Sequence, residues 1–142
     1  MVCPFLFLLF GEMSNLTFKK EERLCSRKEI DAIIKTGKRN TKLGIHLYFT
    51  EYKEAREPAI KVLFAVPKKR FKKAVDRNLL KRRMREAYRL NKAKLVENSE
   101  SGNKYLNLMF IYNISEIESF VEIENKIVLL LKGLFPSHES DN

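Results

Sequence analysis

The sequence predicts an α/β sandwich (α+β), a small sheet with helices packed on it. Three observations carry this. Runs of strand length and strand composition recur at 45–50, 59–66 and 105–112. Around them stand segments with helix-start signals followed by apolar residues three and four apart. The two kinds alternate along 142 residues, a length that fits one domain, and 44% hydrophobic content with ten Phe and five Tyr supplies a core. At 32% charged, with five Gly and four Pro, the chain does not read as disordered.

The first twelve residues, MVCPFLFLLFGE, are apolar, but the run 5–10 is far below the roughly 20 residues a membrane span needs. They lack the basic opening and the small-residue cleavage site of a secretory signal. A second Met stands at 13, where the chain turns polar. We therefore expect translation to begin at Met13, with 1–12 as an extension outside the domain. A membrane anchor is the lesser alternative. The domain is expected over 13–135, with 136–142 as a polar tail. Cys3 and Cys25 show neither metal-ligand spacing nor a disulfide framework, which favours a reduced, cytoplasmic setting.

Ser26-Arg27-Lys28-Glu29 reads as a capping box, with Ile30, Ile33 and Ile34 as the apolar stripe and Gly37 as the residue after the end, so a helix is predicted over 26–36. A short strand at 39–42 is weakly signalled. In 45–50, Ile45, Leu47 and Phe49 share one face, and His46 and Tyr48 share the other. A polar connection at 51–58 leads to the run 59–66, which is apolar enough for a central strand and is ended by Pro67. Asp76 is the expected cap of a long helix to about Asn91. A polar linker follows, then the strand YLNLMFIY at 105–112. Ser115-Glu116-Ile117-Glu118 is a second capping box, opening a helix to about Lys132 that Gly133 and Pro136 close.

The charge is confined to one region. Residues 68–94 hold 13 Lys or Arg against Asp76 and Glu86, a net +11, whereas the whole chain carries +10. Such a patch points to a polyanion, most often nucleic acid. Placed on a helix, the region divides. Leu80, Met84, Ala87 and Tyr88 form a docking stripe. Lys81, Arg85, Arg89 and Lys92 form a neighbouring cationic ridge flanked by Asn78 and Arg82. The loop 68–73 adds five cations. Arg suits phosphate through its planar fork and Lys as a point charge, while Asn78 can hydrogen-bond a base edge or a 2′-hydroxyl. Tyr48 either stacks a single-stranded base or packs under a helix. Phe18 is either a staple on the core or part of a nucleic-acid cleft.

No protein active site stands out. His46 and His138 have no acidic partner at motif spacing, the five Gly are isolated, and no Ser, Cys or Thr has a nucleophile setting. No catalytic residue and no metal ligand is assigned.

Three blocks carry a resemblance. Ala65-Val66-Pro67-Lys68-Lys69, Ala74-Val75-Asp76-Arg77-Asn78 and Lys81-Arg82 with Arg85-Glu86-Ala87 closely resemble the signature of the bacterial ribonuclease P protein family. The opening block from Phe18 to Leu24, FKKEERL, is similar to that family's first segment, and the likeness runs from about Phe18 to Gly133. It implies a four-stranded sheet and three helices in αβββαβα order with a left-handed βαβ crossover, a hand opposite to the general rule. It also implies a role as the small protein subunit of a ribozyme that removes the 5′ leader of precursor tRNA. The partners would be the catalytic RNA and precursor tRNA, with no membrane partner and no protein oligomer required. Mg²⁺ would be held mainly by the RNA, which carries the chemistry.

By position, the resemblance assigns Arg77, Asn78, Lys81, Arg82 and Arg85 to catalytic-RNA binding, with Lys68 and Lys69 before them. Arg89 joins them from the cationic ridge. Phe18, Arg23 and Tyr48 would belong to the cleft for the single-stranded leader. The chain departs from the pattern at Leu79, where the family normally has Arg; Arg83 adds a cation one turn on, but on a different side. Ile30 and Ile34 stand where many members have Phe, and the loop 70–73 is more basic than usual. The alternative is a structural RNA-binding protein, such as a ribosomal component, with no part in catalysis.

Overall fold

Four strands make one mixed sheet in the order β1-β2-β4-β3: β1 (Lys38–Lys42), β2 (Ile45–Tyr52), β3 (Ile60–Ala65) and β4 (Tyr105–Tyr112). The computed structural model describes residues 18, 20–54, 58–101 and 104–134. The extension 1–12, Met13 and the tail 136–142 lie outside the described residues. Three α-helices accompany the strands: α1 (Arg27–Thr36), α2 (Ala74–Ser101) and α3 (Phe120–Leu134). With a 3-10 turn at Lys20–Glu22 ahead of them, the order is the predicted αβββαβα.

β1 and β4 flank β2 antiparallel, while β3 pairs with β4 in parallel, the connection running through α2. Beyond β3, Arg23 makes a parallel bridge to Val62, and the Leu24 N–H donates to the Val62 carbonyl at 2.9 Å. The N-terminal segment thus covers the edge that β3 would otherwise leave open. A two-residue turn joins β1 to β2, with Leu43 at φ 50° and Gly44 at φ 96°. This primed geometry matches strand twist, and the glycine adopts it at little steric cost.

The two faces are unequal. On one, α2 and α3 cover a core that includes Ile45, Leu47, Val62, Phe64, Leu108, Phe110, Tyr112, Leu80, Met84, Tyr88, Ile123 and Ile127, all at most 8% exposed. On the other, α1 covers a small cluster of Leu24, Ile33 and Met109, flanked by half-buried Ile30, Tyr48, Leu63 and Ile111.

Several predicted boundaries are corrected by tertiary contacts. Ser26 is the N-cap of α1, but its side chain makes no capping bond. Glu29 instead accepts from the buried Asn107 amide at 2.9 Å and faces the Lys61 ammonium at 3.9 Å. Gly37 ends α1 in extended geometry, not left-handed, and it is glycine for lack of room: an added Cβ would sit 2.3 Å from the Ile33 carbonyl oxygen. β2 runs on through Tyr52, beyond the predicted end of the strand. α2 begins at Ala74, so Asp76 lies within its first turn, where a carboxylate favours the helix dipole, and is not the cap.

At its far end α2 continues ten residues past Asn91, because Leu95 is buried and Val96 packs on the core. α3 starts at Phe120, five residues after Ser115, the first residue of the expected box. Its backbone before that point is held sideways: the Tyr112 hydroxyl donates to the Glu116 carbonyl and accepts the Glu118 N–H at 3.1 Å, and Arg83 donates to the Glu118 carbonyl. Ser119 is the hydroxyl that accepts an N–H of the first turn, from Glu122 at 3.3 Å. Gly133 is helical, since α3 runs to Leu134.

Candidate nucleic-acid interface

α2 presents its charge on one side because its other side is committed. Leu80, Met84, Ala87 and Tyr88, the predicted docking stripe, are all at 0% exposure. Rotated away from them, Asn78 and Arg82 are exposed, and Arg77, Lys81, Arg85 and Arg89 are half-buried. Lys68 and Lys69, in the loop before the helix, are exposed. Among the described residues, Lys81, Arg82 and Arg85 form no ion pair, so their charges face solvent uncompensated.

Three members of the predicted basic set do other things. The Arg77 guanidinium donates through Nη1 to the carbonyls of Phe71 at 2.8 Å and Lys72 at 2.9 Å. It thereby fastens the loop to the first turn of α2 and fixes where Lys72 and Lys73 stand. Arg89 is forked onto Glu86 through Nε and Nη2. This hydrogen bond, strengthened by charge and opposed by some desolvation, holds the Glu86 carboxyl below its usual range and raises Arg89.

Lys92 does not stand on the ridge. It is 4% exposed and pairs with Glu22 of the 3-10 turn, its ammonium 6.0 Å from the centre of the Phe18 ring. Burial first, and the Glu22 charge second, push the Tyr88 hydroxyl far up in the same neighbourhood.

Strand register composes a second surface on the α1 side. Arg39, Tyr48, Met109 and Leu63 lie in one row across all four strands, and Thr41, His46, Ile111 and Ala65 lie in the next. Tyr48 is half-buried there, with Ile30 beside it and Ile34 60% exposed. Aliphatic side chains and one aromatic ring, with a cation at the β1 end, can take a stacked base and its phosphate.

Phe18 does not join this surface. It packs edge-on against Phe64 and Tyr88, with centroids 6.0 and 5.9 Å away, on the opposite face of the sheet. Of its two readings, the staple on the core is the one the geometry takes. Arg23 is exposed at the β3 edge between the two faces. Phe18, Arg23 and Tyr48 are therefore not brought together around one cleft.

Arg70 is the residue the sequence reading did not single out. Its Nε donates to Asn113 Oδ1 at 2.9 Å and its Nη1 to Ser115 Oγ at 2.8 Å, joining the basic loop to the end of β4. These partners lie 43 and 45 residues away, so no local pattern signals them. Of Leu79 and Arg83, both half-buried, Arg83 is directed to the Glu118 carbonyl and cannot stand in for an Arg at position 79. No group of three or more His, Cys, Asp or Glu among the described residues could hold a metal ion, and no described helix is long and apolar enough to cross a membrane.

Comparison with known proteins agrees along nearly the whole described chain. A family model described as Ribonuclease P matches residues 18–133. The ribonuclease P protein component of Porphyromonas gingivalis is 33% identical over 126 residues, covering 87% of this chain and 92% of that one. That of Chlorobium phaeobacteroides is 38% identical over 128 residues, covering 83% and 88%. Among solved structures, the RNase P protein from Thermotoga maritima superposes with a TM-score of 0.63 at 26% identity, over 79% of this chain and 96% of that one. The Staphylococcus aureus RNase P protein, at 21% identity and a TM-score of 0.64, shares the fold.

Proposed function

The chain belongs to the ribonuclease P protein family, and from that premise we propose how its surfaces divide the work. As a subunit of that endoribonuclease it acts in tRNA processing with the RNase P RNA as its partner. In the proposed arrangement, Asn78, Lys81, Arg82 and Arg85, with Lys68 and Lys69, lie against the catalytic RNA, Arg89 contributes from its pair with Glu86, and Arg77 presents the loop. The Tyr48 row receives the 5′ leader of precursor tRNA, with Arg23 at the sheet edge.

One observation carries this reading. α2 is buried to 0% on one side and bears uncompensated cations on the next, a rigid ridge that can neutralise crowded phosphates without rearranging. The protein supplies binding and electrostatics. We propose that Mg²⁺ sits mainly in the RNA. We propose that a subunit with this task works in the cytoplasm, where precursor tRNA is made.

Reconstitution with the cognate catalytic RNA at low Mg²⁺ tests the proposal. Stimulated leader removal from precursor tRNA is the expected result, and its absence would overturn the reading.

A further inference from the structure

An open pocket of about 380 Å³ lies where the basic loop meets the end of β4, lined by Pro67, Lys69, Arg70, Asn113 and Ser115. Its lining holds two cations and no carboxylate. Arg70 is fixed by its two bonds to Asn113 and Ser115, and among the described residues its Nη2 has no partner. The Ser115 hydroxyl oxygen accepts from Arg70, which leaves its proton to be donated. The Lys69 ammonium is exposed beside them. The pocket therefore offers donors from three side chains, in a form that anchoring has already ordered, and this is the chemistry that recognises an anion.

The protonation pattern can be followed through the network. Arg70 can only donate, so the Asn113 oxygen faces it and the Asn113 amide nitrogen faces His46. That nitrogen lies 3.0 Å from His46 Nε2, which must then be bare and accepting. The imidazole proton sits on Nδ1 and is donated to Thr41 Oγ1 at 2.7 Å. Neutral His46 thus holds Asn113 in the orientation that holds Arg70. Burial, and then the Arg39 charge on β1, lower the pKa of the ring and favour this form. Arg70, reached through Asn113 from the loop, adds positive charge on the other side.

We propose that this pocket is a phosphodiester subsite for an RNA strand, and that His46 is a positioning residue that sets its donors through Asn113. The proposal rests on the reading that the cationic side of the molecule meets the catalytic RNA. Protonation of His46 would place an N–H against the Asn113 amide nitrogen. Turning Asn113 to relieve this sets the same nitrogen against Arg70, so either way the anchor is lost. Acid should therefore weaken RNA binding through this site, whereas a simple added cation would strengthen it.

Inorganic pyrophosphate, titrated into the full chain at constant ionic strength and followed by NMR, tests the pocket. The Asn113 side-chain amide and the backbone signals of 69–71 and 115 should shift to saturation in wild type and not in Arg70→Ala. Ser115→Ala and Asn113→Ala, neither of which changes the charge, should each weaken catalytic-RNA binding by roughly tenfold at fixed salt. Affinity should fall as the pH drops below the ordinary histidine range, and His46→Gln should flatten that dependence.

Shifts that never saturate, or that persist in Arg70→Ala, would overturn the site. Pyrophosphate binding with RNA affinity unchanged in both neutral variants would mean an adventitious ion only, and affinity that rises in acid would overturn the role of His46. Leader removal by the wild-type reconstituted enzyme is a separate readout, and its failure would count against the function and not against this pocket.

Discussion

Replacing Lys92 by Ala should unsettle the fold and spare the RNA interface, although Lys92 lies in the most basic stretch of the chain. Its side chain is 5% exposed and that of its partner Glu22 is 13% exposed. Removing one member of a fully buried pair costs about 3–5 kcal/mol, because the remaining charge is left desolvated. Glu22 sits in a short turn at the sheet edge and keeps some exposure, so part of that cost is relieved by solvent and about 2–4 kcal/mol is expected. For a domain of this size the melting temperature should fall by roughly 10 °C.

Urea unfolding followed by circular dichroism reads the stability, and catalytic-RNA affinity measured against salt reads the interface. The salt slope should not change, because the ammonium points inward and neutralises no phosphate. The double variant Lys92→Met with Glu22→Leu should recover most of the loss. A loss below about 0.5 kcal/mol, accompanied by a salt slope lower by about one, would refute the reasoning and return Lys92 to the cationic ridge.

Arg85→Ala should leave stability within about 0.5 kcal/mol of wild type and weaken catalytic-RNA binding by roughly 1–3 kcal/mol, read by filter binding. Glu86→Ala releases Arg89 from its ion pair and lifts a local negative charge, so RNA binding should hold or tighten slightly at low salt; a loss as large as that of Arg85→Ala would mean the ridge is misassigned. Leu79→Arg adds a cation where the sequence departs from its family's pattern, and if it meets a phosphate the salt slope should steepen by about one. Gly37→Ala forces a Cβ against the Ile33 and Phe49 carbonyls, and calorimetry should show a loss of about 2 kcal/mol or more, with RNA affinity per folded molecule unchanged.

Much of the site was legible because it is local. The four-residue spacing of Leu80, Met84 and Tyr88 sets one face of α2, and Lys81 and Arg85 must then lie on another, since side-chain direction on a helix follows from position alone. The alternation of β2 likewise separated Tyr48 from Leu47 and Phe49 before any fold was known. Charge, strand pattern and the blocks at 65–69, 74–78 and 81–87 were sufficient for fold class and family.

What the sequence could not supply depends on partners distant along the chain. Glu22 draws Lys92 inward across 70 positions, and Asn113 and Ser115 fix Arg70 across 43 and 45. Whether a given cation is surface or core, interface or anchor, is decided by an electrostatic partner that folding brings within about 3 Å. Phe18 shows the same limit for packing, because only the sheet's two faces distinguish a staple beside Tyr88 from a wall beside Tyr48. The sequence by itself determined that this protein carries a cationic helix on an α/β scaffold. The tertiary structure alone decided which of its cations are left toward solvent and which are drawn into ion pairs or anchors, because those partners are distant along the chain.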